Sequence, residues 1–444
     1  MKRLTTIILL VIVANCCAYA QWECPSRLGA TLKPMGNSNF MLGTEITTSA
    51  GWIKNNYAGN AMVFIGLNYG TGRSSFYLEG GMKAWMRGTN KELSFSDDAN
   101  ATVTHKSDRT SKILPGLREA FYRYNGESST FTLGLQSAKG DEEYLLNERI
   151  VGANYALSSG NIKFNAIVGS VMQDFARNGR FCTLGYLYND IVVGRPRSFV
   201  GNAFGDTNFG MLTLSFLPEK KTDEFGSSPS PLISLDKIGG TVYSEFGSKI
   251  NNAVYIGGIY SELNLGGIQL KPEFLYQSSK NNNAFIYNFT AEKLFQWSAM
   301  QNTRVYARYL GYNAISAGAR PINSFSNLFM GDMLRQDVLE NPVLILGLKH
   351  SFSAIKTSIK VQGIIQTKAS SLGGDYGFVV DDYSSPLTKM RELDLGLSKN
   401  FGKSLLVNAM IGMLDYPTLE LTNDILHYNH VQTMCGRIEF RFIF

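Results

Sequence analysis

The residues whose types and spacing come closest to a reactive site are Asp424, His427 and His430, a D-x-x-H-x-x-H cluster near the carboxyl terminus. On a helix, this spacing presents a carboxylate and two imidazoles that can bind zinc. The surrounding residues are polar, however, and predict a loop from Pro417 to His430 in which these side chains are solvated. We therefore expect no metal site in this segment.

Two other patterns associated with catalysis are incomplete. Gly402-Lys403-Ser404 resembles the end of a phosphate-binding loop, but Leu397 occupies the position of its first glycine, and a predicted strand follows instead of a helix. The chain also lacks a G-x-S-x-G nucleophile elbow and contains 4 histidines, which leaves few residues for a hydrolase triad. These observations predict a protein that is not an enzyme and binds no cofactor.

The carboxyl-terminal residues alternate between charged and large apolar side chains. A β-strand places successive side chains on opposite faces, so this period predicts a strand with one aqueous and one apolar face. The final aromatic positions resemble the C-terminal signal of outer-membrane barrels, which implies recognition by the barrel-assembly machinery. The apolar set is Ile438, Phe440, Phe442 and Phe444, with the last three as the assembly signal, and the opposing set is Arg437, Glu439, Arg441 and Ile443.

The same alternation recurs upstream, most clearly from Ile355 to Thr367. Lys356 and Lys360 fall on one side of this predicted strand, and Ile359 and Val361 fall on the other. A lysine on the lipid-facing side of a membrane strand costs about 2–4 kcal/mol near the midplane. We therefore predict that the lysine side faces the lumen of a closed barrel.

Extending these registers predicts a set of charged side chains that line a pore. An excess of Arg and Lys inside a pore favours anionic solutes, so the set predicts at most a slight anion bias. The alternative is that the charges pair across the barrel wall and merely keep the interior wet or plugged. The candidates are Lys83, Arg123, Lys163, Arg304, Arg308, Lys356, Lys360, Arg437 and Arg441, with Glu79, Glu119, Glu273, Glu392, Asp394 and Glu439 among them.

The segments with this alternation predict an all-β fold, a transmembrane antiparallel β-barrel. Their count is about nineteen, whereas bacterial single-chain barrels have an even number of strands. We place the miscounted hairpin between Gly179 and Lys237, a region that includes a predicted strand near 179–191. The expected barrel therefore has about 18 strands, with 16 as the alternative.

The predicted connections alternate in length, as they do in outer-membrane barrels with short periplasmic turns and long extracellular loops. Short links are expected from Asn264 to Gly267, Ser353 to Ala354 and Asn400 to Lys403, and long loops from Thr89 to Leu114, Asn313 to Asn341, Ala369 to Thr388 and Pro417 to His430. A soluble β-protein has no comparable reason to sort its connections in this way.

The amino terminus predicts export. Lys2 and Arg3 precede an apolar run that ends at Ala18-Tyr19-Ala20, so we expect residues 1–20 to form a signal peptide and residues 21–444 to form the barrel. Lipidation at Cys16 is the rival interpretation. A net charge of +6 spread along the chain does not form the dense basic stripe that nucleic acids require.

Three segments in order resemble a run found in large porins and alginate-export-type barrels: residues 117–124 (LREAFYRY), 131–136 (FTLGLQ) and 147–153 (NERIVGA). Leu135 stands where that family has an arginine, and Glu148 stands where it has an aspartate. The resemblance implies a channel of roughly eighteen strands.

Together these features predict an outer-membrane channel for passive diffusion of small hydrophilic solutes. The alternative is a non-conducting barrel with a structural, adhesion or secretion-system role. Transport of hydrophobic molecules would require an apolar lumen, which the predicted registers do not show. The expected partners are the outer-membrane bilayer, the assembly machinery and the solutes, whereas the oligomeric state stays open.

Overall fold

Segments with alternating polar and apolar side chains form antiparallel strands throughout the part of the chain that the computed structural model describes. The described residues are 32–35, 39–53, 56–88, 109–140, 145–171, 208–218, 233–246, 253–280, 283–315, 342–367, 391–422 and 425–444. The predicted signal peptide, residues 1–20, lies outside them. Among the described residues, no helix is long and apolar enough to cross a membrane.

The sheet contains one very short strand, β1 (Lys33–Pro34), which pairs with β2. The remaining strands of the first half are β2 (Phe40–Ile53), β3 (Asn56–Thr71), β4 (Ser74–Gly88), β5 (Arg109–Asn125), β6 (Ser129–Lys139), β7 (Asn147–Ser159), β8 (Ile162–Val171), β9 (Asn208–Phe216) and β10 (Ile233–Phe246). Those of the second half are β11 (Val254–Leu265), β12 (Ile268–Ser278), β13 (Ala284–Ser298), β14 (Gln301–Ala314), β15 (Val343–Phe352), β16 (Thr357–Gln366), β17 (Arg391–Phe401), β18 (Leu405–Thr422) and β19 (Ile425–Ile443).

Strands β2 to β19 form a closed antiparallel barrel of eighteen strands, which confirms the predicted number. Each strand pairs with the next along the chain, and β19 pairs with β2 from Cys435↔Ile53 to Ile443↔Glu45. The strand predicted near 179–191 lies outside the described residues. Because β8 pairs directly with β9, no further strand lies between these two in the wall.

The two faces of each strand differ as the alternation predicted. In β17, Leu393, Leu395 and Leu397 are 46–51% exposed, whereas the neighbouring Glu392 and Asp394 are at most 5% exposed. The exposed apolar face points outward and the polar face points into the barrel. A continuous apolar outer surface of this extent is stable in contact with lipid rather than water, so the fold is that of a transmembrane barrel.

The two ends of the barrel differ in their connections. At the end called here the turn end, seven connections are short: residues 72–73, 126–128, 160–161, 266–267, 299–300, 353–356 and 402–404, while 217–232 is long. At the opposite end, called the loop end, residues 89–108, 172–207, 315–342 and 367–390 form long connections, while 54–55 and 423–424 are short. The turn end therefore corresponds to the periplasmic end of known barrels.

Three boundaries differ from the sequence prediction. Strand β5 begins at Arg109, so it includes the last six residues of the loop expected from Thr89 to Leu114. The loop expected from Pro417 to His430 is wrong, because β18 and β19 continue pairing until Thr422↔Ile425 and leave only residues 423–424 between them. The long hairpin forms because main-chain hydrogen bonds to the partner strand offset the polar character of this segment. Lys356, expected within a strand, occupies the preceding turn with φ of 50°.

Candidate functional site

Polar and charged side chains converge on the inner face of the barrel. The registers place Lys163 opposite Ser158 and Ser215, and Arg123 opposite Thr132, on strand positions that alternate with the outward apolar ones. The same reasoning places on the inner face the candidates Glu79, Glu119, Glu273, Arg304, Arg308, Lys360, Glu392, Asp394, Arg437, Glu439 and Arg441. Lys83 pairs with Met62 at an inner-face position.

Three basic residues form a row across neighbouring strands at the turn end. Arg304 of β14 lies directly opposite Lys349 of β15, which lies opposite Lys360 of β16. Each is three residues from the turn-end terminus of its strand. The Arg304 side chain is 55% exposed and approaches the Glu292 carboxylate at 3.6 Å. The registers thus place three basic residues side by side on the lumenal face, an arrangement that is unfavourable in a sheet because like charges directly opposite each other repel.

Several other charges in the lumen have partners. Lys271 lies 3.2 Å from Glu292, Lys237 lies 3.7 Å from Glu262, and the Arg441 guanidinium lies 2.8 Å from the Glu45 carboxylate. These contacts link adjacent strands along the inner wall. Of the residues in these three pairs, Arg441 is the one that belongs to the set of pore-lining candidates.

Hydrogen bonds also connect polar side chains on the inner face. Arg308 Nε donates to Asn288 Oδ1 at 3.1 Å, and Asn288 Nδ2 donates to Glu273 Oε2 at 3.2 Å. On the next strands, Tyr306 Oη donates to Gln362 Oε1 and Gln362 Nε2 donates to Asp394 Oδ2, both at 2.9 Å. These networks restrain the lumenal side chains that they join.

The loop-end half of the lumen is different, because inward-facing apolar side chains form a buried cluster there. Leu145 and Leu146, in the connection between β6 and β7, are 7% and 0% exposed and belong to this cluster. The connection thus narrows the lumen at this end. Members from the wall include Ile150, Ile167, Phe209, Met211, Tyr243, Ile256, Leu275, Ile286, Leu310, Val343 and Ile364.

Sequence reasoning missed this apolar cluster, and it also missed Lys349, the central member of the basic row. Lys349 was detectable, because it alternates with Leu346 and Leu348 within one strand. The apolar cluster was not detectable from alternation, because strands such as β15 have apolar residues at both odd and even positions in the loop-end half of the barrel. Pairing with the neighbouring strands shows which of the two alternating sets of side chains faces the lumen.

Positions of the remaining candidates follow from the strands. Phe440, Phe442 and Phe444 alternate with the inward Arg437, Glu439 and Arg441, so they lie on the outer face, and the Phe442 and Phe444 rings stack with centroids 6.4 Å apart. His427 and His430 are in β19 rather than in a loop, and Asp424 lies outside the described residues. Within the described part of the chain, no cluster of His, Cys, Asp or Glu could hold a metal ion.

Comparison with known proteins finds the fold but no close relative. No family model matches the chain, and no curated protein matches it in sequence. The chain is similar in structure to Pseudomonas aeruginosa OccK7 (OpdD), with a TM-score of 0.52 at 10% identity over 92% of this chain and 99% of that one. Pseudomonas aeruginosa OpdQ has a TM-score of 0.49 at 10% identity, covering 92% and 99%. Acinetobacter baumannii OccAB3 has 0.47 at 10% identity, covering 91% and 99%. The likeness to OccK7 shows that the two chains share one barrel fold along nearly their whole lengths.

Proposed function

We propose that this barrel is an outer-membrane channel through which small hydrophilic solutes diffuse. The row formed by Arg304, Lys349 and Lys360 carries the proposal. A non-conducting barrel has no need to place three cations side by side, since their mutual repulsion lowers the stability of the fold. Exposed lumenal cations are useful where solutes pass, because a charged lining sets the potential that an ion meets inside a pore.

The same row supports a bias toward anions. Lys163 and Arg123, which are also exposed at the turn end, extend the positive surface to strands β8 and β5. Buried carboxylates such as Glu392 and Asp394 lie near the loop end instead. A solute entering from the loop end therefore passes the apolar and acidic region first and then reaches a basic vestibule.

Export and insertion follow the usual route in this proposal. Residues 1–20 act as a cleaved signal peptide, and the outward-facing Phe440, Phe442 and Phe444 are recognised by the barrel-assembly machinery. The aromatic side chains are available for this purpose because they point away from the lumen. Their alternation with the inward Arg437, Glu439 and Arg441 is the feature that supports the assignment.

A planar-bilayer recording tests the proposal. The refolded chain without residues 1–20 is added at low concentration to a bilayer in KCl, and discrete current steps are expected. Their absence at all salt concentrations, with the barrel intact by circular dichroism, contradicts a channel. It favours the second candidate, a non-conducting barrel, which has its own support in the inward packing of Leu145 and Leu146.

A salt gradient tests the anion bias separately. With tenfold different KCl concentrations on the two sides of the bilayer, we expect a reversal potential whose sign indicates anion selectivity. A cation-selective reversal potential contradicts the assignment of the basic row, although it leaves the channel itself intact.

A further inference from the structure

The lipid-facing wall contains a groove on strands β12 to β16. Its volume is about 670 Å³, within the usual range for ligand sites. Small residues, Ala291, Ala307 and Gly363, form its floor on the outer face. Its walls are the outward side chains of Ile268, Val305, Leu346, Leu348 and Val361, which are 38–50% exposed. The groove is therefore shaped for a slender apolar occupant in the bilayer.

One basic residue, Lys293, lines this apolar groove. Its cross-strand partners are Ile268 and Val305, and its neighbours on the same face of β13 are Ala291 and Phe295. All four are apolar. A lysine on the lipid-facing side is unfavourable unless it lies near the interface or meets an anion.

The acidic residue next to Lys293 in sequence is not its counterion. Glu292 points into the lumen, where Lys271 lies at 3.2 Å and Arg304 at 3.6 Å. The Lys293 ammonium instead lies 5.3 Å from the centre of the Phe295 ring. A cation held by an aromatic ring keeps its full charge and can still bind an anion.

Lys293 also lies at the level where lipid headgroups are expected. It pairs with Ile268, the first residue of β12 after the turn at residues 266–267. On its own strand, Phe295 stacks on Trp297 with centroids 6.2 Å apart, and Trp297 is 66% exposed. Exposed tryptophans mark the boundary between lipid and water in membrane proteins.

We infer that this groove binds one anionic phospholipid of the leaflet at the turn end. The acyl chain lies over Ala291, Ala307 and Gly363, and the phosphate pairs with Lys293. A neutral lipid lacks the net negative charge that the lysine selects. The inference requires a membrane-embedded barrel but does not depend on whether the barrel conducts.

The chain offers two internal controls. Lys399 lies 5.2 Å from the Phe401 ring on the outer face of β17, so it repeats the lysine and aromatic pair outside the groove. A second outer groove of about 450 Å³, lined by Leu67, Phe76, Ala120 and other residues, has no basic residue in its lining. Of these two grooves, the one with Lys293 should select a charged lipid.

Trp297 provides the probe. The chain has 4 tryptophans, and a parent protein with W22F, W52F and W85F retains Trp297 alone. This parent is reconstituted in phosphatidylcholine vesicles that contain 10 mol% of either dibrominated phosphatidylglycerol or dibrominated phosphatidylcholine. Bromine quenches tryptophan at short range. We expect phosphatidylglycerol to quench about fivefold more strongly, the ratio that corresponds to about 1 kcal/mol for one lysine near an anionic headgroup.

Variants then assign the effect. K293Q should bring the ratio to about one, K293R should keep it, and K399Q should leave it unchanged. A307L, which fills the floor and retains the charge, should lower the ratio and replaces K293Q if that variant does not fold. Equal quenching in the parent, a preference that survives both K293Q and A307L, or an equal loss in K399Q overturns the inference.

Discussion

Arg441 of the last strand lies 2.8 Å from Glu45 of the first barrel strand, and this contact joins residues from the two ends of the chain where the barrel closes. The Glu45 side chain is 3% exposed and that of Arg441 is 16% exposed. Thr47 Oγ1 also donates to Glu45 Oε1 at 3.3 Å. The closing interface therefore contains a nearly buried ion pair in addition to its ladder of main-chain hydrogen bonds.

R441M should destabilise the barrel, because it leaves the Glu45 carboxylate buried without its cation. Loss of one partner of a buried pair costs about 3–5 kcal/mol. The measurement is urea unfolding in vesicles, followed by tryptophan fluorescence. The double variant E45Q/R441M should recover most of the lost free energy of unfolding, because it also removes the buried charge of Glu45.

The exposed pair Arg73–Glu127, at 2.7 Å, provides the matched control for this prediction. R73M should change the free energy of unfolding by less than about 1 kcal/mol, as is usual for exposed pairs. An R441M variant as stable as R73M contradicts a stabilising role for the closing pair.

Neutralising the basic row should reduce anion selectivity. In R304Q/K349Q/K360Q, we expect the ratio of anion to cation permeability to fall by about fivefold or more, since an ion about 4 Å from one unit charge in water gains about 1 kcal/mol. Reversal potentials in a KCl gradient measure the ratio. The change should be larger near 0.1 M than near 1 M salt, where the Debye length falls from about 10 Å to about 3 Å.

K399Q removes one positive charge from the outer face and serves as the control for selectivity. It should leave the reversal potential where it is in the unmodified protein. Equal shifts in K399Q and in the triple variant indicate a general charge effect and contradict a role for the lumenal row.

Shortening the inward leucines should widen the lumen at the loop end. L145A/L146A removes side chains that are 7% and 0% exposed from the apolar cluster, so single-channel conductance should rise. The same change should lower stability by about 2–5 kcal/mol for each fully buried leucine. L133A, on the outer face where Leu133 is 50% exposed, should leave conductance unchanged. Unaltered conductance in the double variant contradicts a constriction at this connection.

Removing the terminal aromatic side chains should impair insertion. We expect F440A/F442A/F444A to accumulate unassembled in cells, because the outer-face aromatics that the assembly machinery would recognise are gone. The amount of protein in isolated outer membranes measures this effect. I443A changes an inward residue of the same strand and should insert normally, and equal insertion of both variants argues against an aromatic signal.

The sequence was sufficient for the barrel because lipid on one side and water on the other impose a period of two on every strand. In β17, Leu393, Leu395 and Leu397 lie on the outer face and Glu392 and Asp394 lie on the inner face, as alternation within one strand requires. The expected strand number came from counting these segments and from the even strand number of bacterial barrels, which left 16 as the alternative to 18. The difference between turn end and loop end followed from connection lengths. Pore lining by the charged candidates stays a prediction until conductance is measured.

Errors arose where pairing with the neighbouring strand determined the result. Polar residues after Pro417 predicted a loop, yet the ladder to β19 continues through them to Thr422. Lys356 belonged to the expected strand by alternation, but the tight turn between β15 and β16 places it at the rim. In both places the number of residues that can pair depends on the neighbouring strand, which local sequence does not specify.

By itself, the sequence predicted a membrane barrel of about eighteen strands, with sixteen as the alternative, and it determined which side chains share a face within one strand, because the period depends only on neighbouring residues. Closure of the sheet in the structure gave eighteen. Only the tertiary structure decided which side chains meet across strands. It placed Arg304 beside Lys349, Arg441 beside Glu45 and Leu146 inside the lumen, because register between strands and closure of the sheet are properties of the assembled barrel.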